Sequence, residues 1–127
     1  MNKLKKTVTE QLWEKAENIL NENYFSNKLS DNDIKKCQLI IALCLKYNLK
    51  YQFVNDCVFI YSIIDEWYFH YTNENISLFH KNKLHTTQQY HFQKKFRNIV
   101  HIIQYIKKHD NFCYKPNNKF LKLEVKK

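Results

Sequence analysis

Glycine is absent from this chain of 127 residues, and proline occurs once, at Pro116. Glycine adopts a positive φ more easily than any other residue, and Asn and Asp are the next most tolerant. Every turn that needs a left-handed residue must therefore use Asn or Asp. The absence of glycine also excludes the glycine-rich loops that bind phosphate in P-loop and dinucleotide-binding proteins, and the nucleophile elbow of α/β-hydrolases.

The composition is that of a folded protein with one domain. Hydrophobic residues make up 44% of the chain and aromatic residues 16%, which provides enough apolar surface for one core. The length of 127 residues fits a single domain spanning residues 1–127. Since no apolar run approaches the length of a membrane-spanning segment, we expect a soluble, cytoplasmic protein without a membrane partner.

The cysteines predict neither a disulfide framework nor a zinc site. They form no C-x-x-C pair, and no histidine follows them at zinc-finger spacing. We therefore expect reduced, mostly buried thiols, and neither a metal nor a cofactor. The four residues are Cys37, Cys44, Cys57 and Cys113.

Two helices are expected in the first half of the chain. Thr7 and Glu10 have the spacing of a capping box, and an apolar stripe at helical spacing follows them. Ser30 or Asp31 is expected to cap a second helix, which is apolar enough to be buried on more than one side. The predicted bounds are residues 7–23 and 31–48.

After residue 56 the apolar period changes from helical to strand-like. Runs of β-branched and aromatic residues, separated by polar turns, predict three antiparallel strands. Their predicted bounds are residues 57–63, 67–72 and 76–81.

The hairpin between the last two of these strands has two registers. A two-residue turn at 73–74 places Trp67 and its alternate neighbours on the core face. A three-residue turn at 73–75 shifts the register by one and mixes the two faces. Under the first register, an uncovered second face would form a platform for stacked bases, whereas a helix over it would make its side chains core. The residues of that second face include Tyr68, His70 and Phe79.

The segment that follows carries the strongest amphipathic pattern in the chain. Apolar residues recur at three- and four-residue steps, which predicts a third helix over residues 87–108. Basic side chains follow the same steps on another side, and the preceding loop places two lysines near the helix N-terminus, where phosphate binds. The apolar positions are Phe92, Phe96, Ile99, Ile103 and Ile106, the basic side carries Lys94, Arg97, His101 and Lys108, and the loop carries Lys81 and Lys83.

These elements predict an α+β fold of order α-α-β-β-β-α, in which a small antiparallel sheet packs against helices. The sequence over residues 120–125 is compatible with one further short strand.

The charge balance favours an acidic partner. Lysine and arginine outnumber aspartate and glutamate by 21 to 12, a formal net charge of +9. An AT-rich genome explains lysine in place of arginine but not the shortage of acids. We therefore expect a non-enzymatic protein that binds nucleic acid, RNA foremost. The expected phosphate contacts are Lys81, Lys83, Lys94, Arg97, His101 and Lys108, and the expected stacking partners are Tyr68, His70 and Phe79.

A protein partner is the alternative. A small inhibitor or adaptor, of the kind that phages and mobile elements encode, would dock the same basic helix on an acidic protein surface. A nucleic-acid-handling complex, such as a bacterial defence nuclease, would suit an inhibitor of this size and charge.

Histidines offer the main argument for catalysis. All six lie in the second half of the chain, but a histidine-based site needs a neighbouring carboxylate or a second histidine in space. His91 and His101 are too far apart in helical phase to act as an i, i+4 metal pair. Because acids are also scarce in this region, the sequence predicts no enzymatic activity.

Overall fold

Three helices and five strands make up the described part of the chain, which the computed structural model gives as residues 6–22, 29–63, 65–82 and 89–113, with side chains to residue 110. The order α-α-β-β-β-β-β-α confirms the α+β class and adds two strands to the predicted order. The helices are α1 (Val8–Glu22), α2 (Asp31–Tyr47) and α3 (Ile99–Cys113), and the strands are β1 (Lys50–Val54), β2 (Cys57–Tyr61), β3 (Asp65–His70), β4 (Ile76–Asn82) and β5 (His91–Phe96).

The first two helices begin at the predicted caps. The backbone N–H of Thr7 donates to Glu10 Oε1 at 2.9 Å, and the N–H of Glu10 donates to Thr7 Oγ1 at 3.1 Å, which completes the capping box. The Ser30 hydroxyl accepts from the N–H of Asp33 at the start of α2. Helix α2 ends at Asn48, whose φ of 59° is left-handed.

The five strands form one antiparallel sheet in the order β1-β2-β3-β4-β5. Trp67 pairs with His80 and Tyr68 with Phe79, so the register is the one that the two-residue turn predicts, although β3 already ends at His70. Helices α2 and α3 pack on one face of this sheet, hereafter the inner face, while α1 packs against α2, and the opposite face is the outer face. The inner-face core includes Ile40 and Ile41 of α2, Val58, Ile60, Trp67, Phe69 and Leu78 of the sheet, and Ile102, Ile103 and Ile106 of α3.

Three of the cysteines are free and buried, as expected. Burial raises the pKa of the Cys37 thiol to about 11 and that of Cys44 to about 12, so both are protonated at neutral pH. The side chain of Cys113 lies outside the described residues.

Strand β1 is absent from the sequence-based prediction. Lys50–Val54 pairs with β2 through a tight turn at Asn55, whose φ is 57°. In a two-residue hairpin this position normally carries glycine, asparagine or aspartate. The sequence-based prediction has no element over residues 49–55, where the alternation of Tyr51 and Phe53 and the turn at Asn55, without glycine, were the available signals.

The predicted helix over residues 87–108 is wrong in its first half. Residues 91–96 form β5 on the edge of β4, and α3 begins only at Ile99. The side chain of Asn98 accepts from the N–H of Val100 at 2.7 Å and so caps α3. A β-strand competes successfully here because β4 would otherwise leave one row of backbone groups unpaired.

A register shift between β4 and β5 explains why helical spacing was misleading. The shift falls between Leu78 and Phe79, and Gln93 is the extra residue on β5. As a result Phe92 pairs with Phe79 on the outer face, whereas Phe96 pairs with Ile76 on the inner face. Phe92 therefore stands apart from the apolar stripe of α3, where Ile99, Ile103 and Ile106 are buried as predicted.

The other predicted bounds differ by a few residues at the strand ends. Among the described residues no helix is both long enough and apolar enough to cross a lipid bilayer. Three predictions concern residues beyond the described ranges: Lys83, the start of the predicted third helix at residues 87–88, and the short strand over residues 120–125.

Candidate nucleic-acid interface

A basic groove lies between β5, the exposed side of α3 and the end of α2. Strand β5 contributes alternate residues, and α3 contributes residues three or four positions apart, which share one side of a helix. The groove has a volume of about 570 Å³ and is lined by Tyr47, Lys94, Phe96, His101, Gln104, Tyr105 and Lys108. Three members of the predicted basic side, Lys94, His101 and Lys108, thus meet in one place, although a strand and a helix together supply them.

The groove combines cations with aromatic rings. Lys94 Nζ lies 5.4 Å from the ring centroid of Phe96 and 5.5 Å from that of Tyr105, within cation–π range of both. The Tyr105 hydroxyl accepts from Gln93 Nε2 at 2.9 Å, which holds the ring in place. No carboxylate is among the lining residues. A ligand that carries both negative charge and a flat aromatic group would find partners for both.

Aromatic side chains form a second surface on the outer face. Phe59, Tyr68, Phe79 and Phe92 are paired in register across four adjacent strands, β2 to β5. Neighbouring ring centroids are 5.4, 4.8 and 6.1 Å apart. This set is hereafter the aromatic row, and Tyr90 packs edge-on against Tyr68 at 4.8 Å.

The aromatic row changes the expectation for base stacking. Tyr68 and Phe79 are stacked on each other with an interplanar angle of 12°, so their facing ring surfaces are already occupied. Phe92, at the edge of the row, is 54% exposed, whereas the other three rings of the row are half-buried. His70 lies 3.3 Å from the carboxylate of Asp56 and is engaged in a polar contact.

The predicted phosphate contacts are divided between the two faces. Lys94, His101 and Lys108 line the groove, whereas Lys81 belongs to the outer face, where its Nζ lies 5.1 Å from the ring centroid of Tyr90. Arg97 is exposed at the junction of β5 and α3. Within the described residues β5 borders both sets, and it is one of the two edge strands of the sheet.

Sequence reasoning missed several members of this surface. Lys95 pairs with Ser77 and is exposed on the outer face, next to the aromatic row. Tyr47 and Tyr105 were missed because they come from the inner side of two helices. The consecutive pair Lys94 and Lys95 was the available signal, since adjacent strand residues point to opposite faces of a sheet.

Among the described residues, one other group of polar side chains could hold an ion. Ligand atoms of Asp65, His80 and His109 lie within 4.8 Å of one another at the inner face.

No protein-family model, no curated protein and no solved structure shows significant similarity to the chain. The case for a function therefore rests on the geometry of these surfaces.

Proposed function

We propose that this protein binds single-stranded nucleic acid, RNA foremost, along β5, with the basic groove on one side of the strand and Phe92 with Lys95 on the other. The observation that carries the proposal is the groove itself. Its two lysines and one histidine surround aromatic rings and are accompanied by no lining carboxylate.

Each part of the groove has a counterpart in an unpaired nucleotide. Ammonium groups neutralise phosphates and release counterions, while aromatic rings stack on base faces regardless of sequence. Base faces are accessible only in single strands, because in a duplex each base is stacked between its neighbours. A single strand is therefore a better match than a double helix.

Protection of a free sheet edge is the competing explanation for the lysines of β5. Natural proteins place lysine on edge strands to prevent pairing with another chain. That role accounts for Lys94 and Lys95, but it requires no residue of α3. Because His101 and Lys108 approach the same groove from α3, edge protection explains only part of the arrangement.

The proposal is tested by fluorescence anisotropy with a labelled single strand of about 12 nucleotides, within the length that small binding domains cover. If the two groove lysines, Lys95 and Arg97 each contact a phosphate, log Kobs against log salt has a slope of about −3. The double variant Lys94→Gln/Lys108→Gln is expected to bind roughly tenfold or more weakly and to lose about half of that slope.

The matched control removes the same charge elsewhere. Lys15→Gln/Lys35→Gln changes two exposed lysines of α1 and α2 that do not line the groove. Equal weakening in both double variants would show that binding follows net charge alone, and no binding in low salt would exclude the proposal. Weak binding of free nucleic acid, with tight binding to a nucleic-acid-handling protein, would favour the inhibitor alternative.

A further inference from the structure

Three elements bring ionisable side chains together at the inner face. Asp65 begins β3, His80 is on the neighbouring strand β4, and His109 is near the end of α3. The Asp65 side chain is 2% exposed, that of His80 14% and that of His109 30%, so the group is buried at the carboxylate and open at one imidazole.

The carboxylate has an imidazole at each oxygen. Asp65 Oδ1 lies 3.0 Å from His80 Nε2, and Oδ2 lies 3.2 Å from His109 Nδ1. The second contact is an ion-pair contact, and within the described residues Oδ2 is a buried oxygen with no assigned hydrogen bond. Burial raises the pKa of Asp65, but the contacts with His109 and His80 outweigh it and lower that pKa to about 2.

We propose that Asp65, His80 and His109 bind one divalent transition-metal ion of the Zn²⁺ class, through a carboxylate oxygen, His80 Nε2 and His109 Nδ1. Two imidazoles and one carboxylate are a donor set that Zn²⁺ accepts, and three protein ligands leave a fourth position for water or another ligand. This metal site is proposed independently of nucleic-acid binding.

The distances suit such an ion. Zn²⁺ binds nitrogen and oxygen at about 2.0–2.2 Å, so a tetrahedral site holds its ligand atoms about 3.3 Å apart. The two carboxylate–imidazole contacts, at 3.0 and 3.2 Å, already have this separation. The two contacts involve different oxygens of Asp65, and one ligand atom from each residue lies within 4.8 Å of the others, so binding requires the side chains to rotate towards a common centre.

A second layer of contacts orients the ligands. His80 Nδ1 lies 3.1 Å from Nε2 of His91, its partner in the β4–β5 pairing. When His80 Nε2 binds a metal, Nδ1 carries the proton and donates to His91, which is the usual outer contact of a metal-binding imidazole. The Trp67 ring packs against both ligand histidines, with centroids 4.5 Å from His80 and 5.1 Å from His109.

A purely structural ion pair explains less of this geometry. One protonated imidazole would compensate the charge of Asp65, yet two imidazoles contact the carboxylate and a third contacts the second nitrogen of His80. With Nε2 of His80 bound to a metal, that imidazole–imidazole contact would hold the remaining proton on Nδ1 and orient the ring.

The test uses tag-free protein treated with a chelator and then titrated with Zn²⁺ by calorimetry. Co²⁺ absorption provides a second readout, since tetrahedral Co²⁺ has intense visible bands. Wild type is expected to bind one ion per chain and to gain thermal stability on binding. His109→Gln, at the most exposed ligand, is expected to lose at least about 100-fold in affinity and the Co²⁺ bands, while circular dichroism checks that it remains folded. His91→Ala is expected to lose about 10- to 100-fold.

Matched controls are His70→Gln and His101→Gln, which remove imidazoles that are not ligands and should leave the titration unchanged. Absence of stoichiometric Zn²⁺ binding by folded wild-type protein would overturn the proposal. So would wild-type affinity in folded His109→Gln, or an equal loss in His101→Gln, because binding would then be a property of surface histidines in general.

Discussion

Asn48 and Asn55 are the residues at which the lack of glycine has a structural cost. Both have a positive φ, at 59° and 57°, and they are the two non-glycine residues in the described ranges that do. A left-handed conformation costs a typical residue with a Cβ atom roughly 1–2 kcal/mol, and less for asparagine. At Asn48 this conformation allows the N–H of Leu49 to donate to the carbonyl of Cys44 at 2.8 Å and so closes α2.

Replacement of Asn48 tests that role. Asn48→Val should lower the free energy of unfolding by about 1–2 kcal/mol, because a β-branched side chain is the least tolerant of a positive φ. Asn48→Gly should stay within about 1 kcal/mol of wild type, because glycine accepts the conformation but has a more flexible unfolded chain. Urea unfolding measures both.

The control is Asn18→Val in the exposed side of α1, where valine and asparagine have similar helix propensity. If Asn48→Val cost no more than Asn18→Val, the left-handed residue would not be what ends α2.

The boundary between β5 and α3 is the element that the sequence predicted least well. The sequence spacing of Phe92, Phe96 and Ile99 is that of one helical stripe. In the structure, Phe92 lies on the outer face of the sheet, Phe96 lies on the inner face, and Ile99 begins α3. Periodicity over so short a segment cannot distinguish a strand with an extra residue from a helix turn. The edge of β4, which is free to pair with another strand, favours the strand over the helix. It exists only in the folded sheet and is not visible in the local sequence.

Other elements were predictable because their signals are local. The capping box at Thr7 and the cap at Ser30 set the starts of α1 and α2, and alternation predicted β2, β3 and β4 but left two registers open for the last hairpin, of which the structure has the one with the two-residue turn. The site was partly predictable: Lys94, His101 and Lys108 do meet, although Lys94 reaches the groove from a strand. The group around Asp65 could not be predicted, since only the packing of α3 on the sheet brings His109 to it.

Asn98 lies between β5 and α3 and caps the helix, so its replacement tests where α3 begins. Asn98→Ala should lower the free energy of unfolding by about 0.5–2 kcal/mol, because the N–H groups of Val100 and His101 lose their acceptor. Asn98→Ser should restore most of the loss, since serine is an equally good cap. Thermal or urea unfolding distinguishes the three proteins, and equal stability for Asn98→Ala and wild type would place the helix start elsewhere.

At the scale of the whole molecule, the two faces of one sheet have different roles. The inner face is sealed by helices around a core of aliphatic and aromatic side chains, whereas the outer face carries the aromatic row. Strand β5 belongs to both, with Lys94 facing the groove and Phe92 facing outward. A strand of nucleic acid that followed β5 would meet a cationic side chain or an aromatic ring on either face.

Phe92 tests whether the outer face takes part in binding. Because its side chain is 54% exposed, Phe92→Ala should change the free energy of unfolding by less than about 1 kcal/mol. If a base stacks on this ring, the same variant should weaken single-strand binding by about 5- to 150-fold, the equivalent of 1–3 kcal/mol. Anisotropy and urea unfolding measure the two effects separately.

Val54→Ala is the matched control, since Val54 is 42% exposed on the outer face at the opposite edge strand, β1. Loss of binding in Phe92→Ala alone supports a contact at β5. Equal binding by both variants would restrict the interface to the groove.

The surroundings of Trp67 give the molecule an internal optical probe. Its indole is fully buried, donates to Ser62 Oγ at 3.1 Å and packs against His80 and His109, whereas Trp13 is 38% exposed. A buried indole emits at shorter wavelength than an exposed one, and a protonated imidazole in van der Waals contact quenches its emission. In a Trp13→Phe background, fluorescence would therefore report changes in the surroundings of those two histidines directly, without any attached dye.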